Sequence, residues 1–68
     1  MITEIGISAG EIWQFLDKHG DATLAQLFNG IEKPKELILM SLGWLAREGH
    51  VLVRFEDNEY RINLRKGS

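Results

Sequence analysis

The sequence predicts a mainly α domain with a small β-wing (α+β), and three observations predict it. Apolar residues recur at steps of three and four from the N-terminus to about Arg47. Gly20, Asn29-Gly30 and Gly49 punctuate that pattern, and beyond Gly49 the period drops to two. A chain of 68 residues buries only roughly 60% of the surface its unfolded form exposes, so it holds one domain with a marginal core. Burial against a partner subunit would add to that core. Residues 1–68 read as this single domain, with 65–68 expected to fray because they are short, polar and terminal.

Ile2, Ile5, Ala9, Ile12 and Leu16 share one face of the first helix, and Trp13 widens the stripe. Gly20 stops the helix after Lys18 and His19. Its start has two readings: Thr3 would cap a long helix, whereas Ser8 with Glu11 fits the S-x-x-E capping box of a shorter one. Gly6 and Gly10 each cost about 1 kcal/mol relative to alanine inside a helix, which weighs against the long version unless something packs closely on them. Asp21-Ala22 is short and extended and suits a small third strand at a sheet edge. Thr23 is the expected N-cap of a second helix, with Leu24, Leu27 and Phe28 facing inward and Asn29-Gly30 ending it. Ile31-Glu32 forms the turn. Pro34 suits the first turn of the third helix, where a missing N–H is harmless.

After Gly49, Val51, Val53 and Phe55 alternate with Leu52 and Arg54. Tyr60, Ile62 and Leu64 alternate with Arg61, Asn63 and Arg65, and the turn-prone Asp57-Asn58 lies between the two runs. Three helices followed by a C-terminal two-stranded hairpin are the layout of a winged helix-turn-helix. The pairs Ile5-Gly6, Ala9-Gly10 and Ile12-Trp13, and the later run Leu42-Gly43-Trp44-Leu45-Ala46-Arg47-Glu48-Gly49, carry a further likeness. Through them the chain resembles, over nearly its whole length, a family of small bacterial winged helix-turn-helix proteins of unassigned biological role. The resemblance implies this fold and a tendency to pair through the winged-helix unit. It carries over no catalytic or base-reading residue.

Charge argues about partners. The net charge is −2, and residues 1–32 hold Lys18 alone against Glu4, Glu11, Asp17, Asp21 and Glu32. Phosphate neutralisation supplies most non-specific nucleic-acid affinity, and binders carry a basic surplus that this chain lacks. With residues placed about 100° apart around the third helix, Ile38, Ser41, Leu42 and Leu45 fall on one side. Glu36, Met40, Gly43 and Arg47 fall on the other, flanked by Leu39 and Trp44. That second side is the one a DNA reader presents. Direct readout needs Arg, Lys, Asn or Gln there, and only Arg47 qualifies, at the end of the helix opposite the one that commonly meets bases. Lys33 and Lys35 would reach phosphate, although exposed lysine pairs are more often simply solvated. The wing tip, Glu56-Asp57-Asn58-Glu59, carries three carboxylates that would repel a duplex, and it reads first as a charged, soluble hairpin loop; either way it counts against DNA.

An apolar patch on a small protein commonly marks an interface, and aromatic residues and Met are enriched in such interfaces. Trp44 has two readings, as core folded back on the second helix or wing, or as interface. Gly43 would permit close approach by a symmetry-related helix, and a two-fold dimer needs only one self-complementary patch.

Other chemistry finds little support. His19 and His50 are far apart, there is no cysteine, and the wing carboxylates lack EF-hand spacing, so neither a metal nor another cofactor is expected. Ser8 and Ser41 have no recognisable base partner; no phosphate loop follows a strand. No apolar run approaches the roughly 18 residues that span a bilayer. Residues 1–8 lack the charged start and long apolar stretch of an export signal, and the missing cysteines fit a reducing, cytoplasmic setting.

The expected function is therefore non-enzymatic: a cytoplasmic homodimer, or a module for another protein, that uses the outer side of the third helix. Met40 and Gly43 lead the expected interface, followed by Leu39 and Trp44, with Glu36 and Arg47 paired across the two-fold axis. The alternative is a DNA-binding transcriptional regulator that dimerises through helix one, with Lys33, Lys35, Arg47 and Arg54 on phosphates or bases.

Overall fold

A computed structural model describes residues 2–65. Helix α1 spans Ile2–His19, strand β1 Ala22–Thr23, α2 Leu24–Gly30, α3 Lys35–Arg47, β2 Val51–Glu56 and β3 Glu59–Leu64. The strands form one sheet in the order β1-β3-β2, which puts the second strand of the hairpin at its centre. The short third strand is present: Ala22 pairs with Ile62 and Thr23 with Arg61, antiparallel. This is the expected winged helix-turn-helix. At the end of the hairpin the Arg65 N–H donates to the His50 carbonyl at 3.0 Å. Of the fraying expected at 65–68, the part at 66–68 lies outside the described residues.

Each helix end has an identifiable cause. Gly20, at φ +81°, ends α1 in the left-handed region and donates to the Leu16 carbonyl at 2.8 Å. Gly49, at φ +79°, ends α3 in a Schellman arrangement: its N–H reaches Ala46 O at 3.1 Å, and that of His50 reaches Leu45 O at 2.9 Å. Thr23 caps α2 reciprocally. Its hydroxyl accepts from the Gln26 N–H at 3.1 Å, and the Gln26 side-chain oxygen accepts from the Thr23 N–H at 2.8 Å. Pro34 is the N-cap residue of α3 and does not lie in its first turn. The Pro34 carbonyl accepts the first helical bond, from Ile38 at 3.1 Å.

The start of α1 resolves in favour of the long helix. Ser8 lies within it, fully buried, so it caps nothing, and Glu11 pairs with Lys33 at 3.7 Å. No close neighbour excuses the glycines: a methyl built on Gly6 or Gly10 meets no atom within 4 Å. What holds the helix is its core face, where Ala9, Ile12 and Leu16 are buried, because tertiary burial outweighs local propensity.

Leu27, Ile31, Ile38, Leu42 and Leu45 meet that face from α2, the turn and α3, and Ala22, Val51 and Ile62 close it from the sheet. Helices α1 and α3 run antiparallel. Ile2, Ile5 and Gly6 share a depression with Trp44 near the end of α3, while Glu11 reaches Lys33 just before its start. Ser8 on α1 and Ser41 on α3 are both fully buried.

The hairpin turns in two residues. Asp57 and Asn58 both have positive φ, 53° and 63°, the type I′ geometry whose twist matches the strands. Asp and Asn tolerate it better than other non-glycine residues.

Candidate interaction surface

On α3 the buried side is Ile38, Ser41, Leu42 and Leu45, as the helical spacing predicts. Glu36, Leu39, Met40, Gly43, Trp44 and Arg47 are all exposed. Leu39 and Trp44 are each 47% exposed and Met40 42%, which decides against Trp44 as a core residue. Its ring instead approaches that of His50, with centroids 6.4 Å apart.

The outer side of α3 forms a ridge with a depression along each flank. On one flank, Leu24, Leu39, Leu42, Gly43, Ala46, Val53 and Tyr60 line a space of about 370 Å³ between helix and wing. On the other, Ile2, Ile5, Gly6 and Trp44 line one of about 310 Å³ between α3 and α1. Both are apolar.

The expected interface omits Val53, Phe55 and Tyr60, which extend the greasy surface onto the wing. The ladder pairs Val53 with Ile62 and Phe55 with Tyr60, so these side chains share the face that Ile62 buries. Val53 and Tyr60 border α3, and Tyr60 with Asn58 of the turn borders α2, yet all three apolar side chains stay exposed. Phe55 is 60% exposed, with its ring centroid 4.7 Å from that of Tyr60. The alternation was legible in the sequence, but which of its apolar residues the helices leave uncovered was not.

The other face of the hairpin is ionic. Arg54 reaches Asp21 at 3.5 Å and Glu56 at 3.2 Å, and Arg61 reaches Glu56 and Glu59 at 3.9 Å each. Two of the three carboxylates of the wing tip, Glu56 and Glu59, thus pair with arginines of the wing itself. The same pairing engages Arg54, one of the four cations of the DNA alternative. Lys33 is paired with Glu11, and the Lys35 ammonium lies 5.4 Å from the centre of the Phe28 ring. Arg47 makes no ion pair with any described residue, and neither does Glu36. The structure does not gather the four cations on one face. Lys33 sits against α1, Lys35 against α2, Arg54 on the outer face of the sheet and Arg47 at the far end of α3.

Among the described residues, no three of His, Asp and Glu are placed to hold a metal ion, and no helix is long and apolar enough to cross a membrane.

Three helices, a capped turn between α2 and α3, and a three-stranded sheet carrying a wing define a winged helix-turn-helix domain, a DNA-binding-like fold. The chain belongs to the family described as Winged helix-turn-helix domain (DUF2582), which it matches over residues 1–64. It is similar to the uncharacterized protein MJ1608 of Methanocaldococcus jannaschii, at 32% identity over 65 residues and 91% of each chain. No solved structure matches it significantly.

Proposed function

We propose that this domain is a non-enzymatic interaction module that pairs with a second copy of itself through the outer side of α3, and that it does not read DNA with that helix. A cytoplasmic setting is part of the proposal, resting on a composition without cysteine. The observation that supports it is the exposure of Leu39, Met40, Gly43 and Trp44 on α3 together with Val53, Phe55 and Tyr60 of the wing, where Leu39 and Gly43 share an apolar depression with Val53 and Tyr60. A polyanion gains nothing from such a surface, whereas a protein partner gains roughly 25 cal/mol for each Å² covered. A stable pair buries roughly 600 Å² per copy. Against a total surface of 4703 Å² the patch needed is modest.

The alternative, a DNA-binding regulator dimerising through α1, has one observation in its favour. Ile7 and Trp13 are exposed on α1 beside the open Gly10. Two substitutions separate the readings. Under the proposal, Met40→Glu yields monomers by sedimentation equilibrium at tens of micromolar while Trp13→Glu still pairs. The opposite pattern overturns it. A labelled generic duplex at about 50 mM salt, where phosphate contacts are strongest, is expected to show no salt-sensitive rise in anisotropy.

A further inference from the structure

The outer stripe of α3 reads Glu36, Met40, Gly43, Arg47, at steps of four, three and four. At 100° per residue the four positions lie within an arc of about 60°, so they form a line along the helix, and its ends are about 16 Å apart. The spacing is palindromic and the charge is not: an acid stands at the N-terminal end and a base at the C-terminal end. Neither end makes an ion pair with a described residue. Between them, a methyl built on Gly43 meets no neighbouring atom within 4 Å among the described residues, so none of these requires a glycine there.

Resting on the pairing proposed above, we infer that two copies meet with their α3 helices antiparallel, on a two-fold axis level with the gap between residues 41 and 42. In that register Glu36 of each copy faces Arg47 of the partner subunit, at both ends. Met40 of each copy lies at the level of Gly43 of the partner subunit, whose missing side chain leaves room for the thioether. A parallel register sets Glu36 against Glu36 of the partner subunit and Arg47 against Arg47 of the partner subunit, which like-charge repulsion disfavours. Antiparallel helices also oppose their macrodipoles favourably. The partner this surface selects is thus a second copy of the same chain, because the stripe is complementary to itself.

The test uses charge reversal and mixing, read by sedimentation equilibrium at low and high salt. Glu36→Arg alone and Arg47→Glu alone each place like charges at both contacts, and each is expected to weaken self-association about tenfold at low salt, with a smaller effect at high salt. An equimolar mixture of the two variants makes both contacts complementary again, and is expected to associate within about threefold of the wild type. Circular dichroism of each variant alone verifies its fold, and recovery on mixing is a result that misfolded chains do not give. If the wild type dimerises but neither single variant is weakened, or if mixing does not restore association, the register is wrong while the pairing stands. If the wild type is monomeric at about 100 μM, where even weak dimers are populated, the pairing and the register both fall.

Discussion

Replacing Gly10 by alanine is expected to make the protein more stable, and the sign follows from geometry. Gly10 lies in the interior of α1, where glycine costs about 1 kcal/mol relative to alanine. The added methyl meets nothing within 4 Å, so no steric cost subtracts from that gain. The expected stabilisation is about 0.5–1 kcal/mol, which for a domain of this size raises Tm by roughly 2–8 °C. The same substitution at Gly30 has the opposite sign. There the methyl overlaps the half-buried Phe15 ring, coming within 2.9 Å of Cζ, and overpacking of this kind costs about 1–3 kcal/mol. Thermal and urea melts followed by far-ultraviolet circular dichroism measure both, at two protein concentrations so that association is separated from protomer stability. If Gly10→Ala melts below the wild type, the outer face of α1 is not open but closely covered. If only the concentrated sample melts lower, the cover is a second copy, and the α1-dimer alternative gains.

Three further substitutions probe the helices. Thr23→Ala removes the hydroxyl that accepts from Gln26 and is expected to cost about 1 kcal/mol in urea unfolding; an unchanged midpoint would mean that the cap contributes nothing. Ser41→Ala deletes a fully buried hydroxyl without a hydrogen-bond partner and is expected to leave stability unchanged or raise it by up to about 1 kcal/mol. A loss of more than about 1 kcal/mol would show a partner for that oxygen. Gly43→Ala is expected to raise protomer stability by about 0.5–1 kcal/mol while weakening self-association, and a change of the same sign in both measurements would contradict the proposed interface.

Most of the fold was legible because its causes are local. The periodicity of α3, the Thr23 cap of α2, the glycines ending α1 and α3, and the alternation of the hairpin each reside within a few residues of chain. The start of α1 was less so, because Ser8 and Glu11 satisfy the local capping pattern while the deciding energy is burial of Ala9, Ile12 and Leu16 against distant elements. The engagement of Lys33, Lys35 and Arg54 was likewise hidden, since their partners Glu11, Phe28 and Asp21 are remote in sequence or lie across a turn. For the surface, helical spacing sufficed to place Leu39, Met40, Gly43 and Trp44 outward. The contribution of Val53, Phe55 and Tyr60 needed the register of the sheet and the exposure of that face.

The two sides of α3 answer to different physics. Ile38, Ser41, Leu42 and Leu45 are fixed by the requirement that a small core be filled, and any sequence folding this way needs residues of similar size there. The outer side bears no such constraint, so under the proposed pairing its chemistry would be set by the partner. A side meant for phosphate would keep mobile cations in solvent, where they neutralise charge and release counterions. Here the two nearby lysines and Arg54 are drawn onto Glu11, Phe28 and Asp21, and what remains at the centre is thioether, indole and a bare glycine backbone. Exposed ion pairs are weak, about 0–1 kcal/mol each, so they alone would not keep a duplex away. The stronger argument is the apolar area itself, which offers a duplex little to bind and is stabilised most when another protein surface excludes water from it.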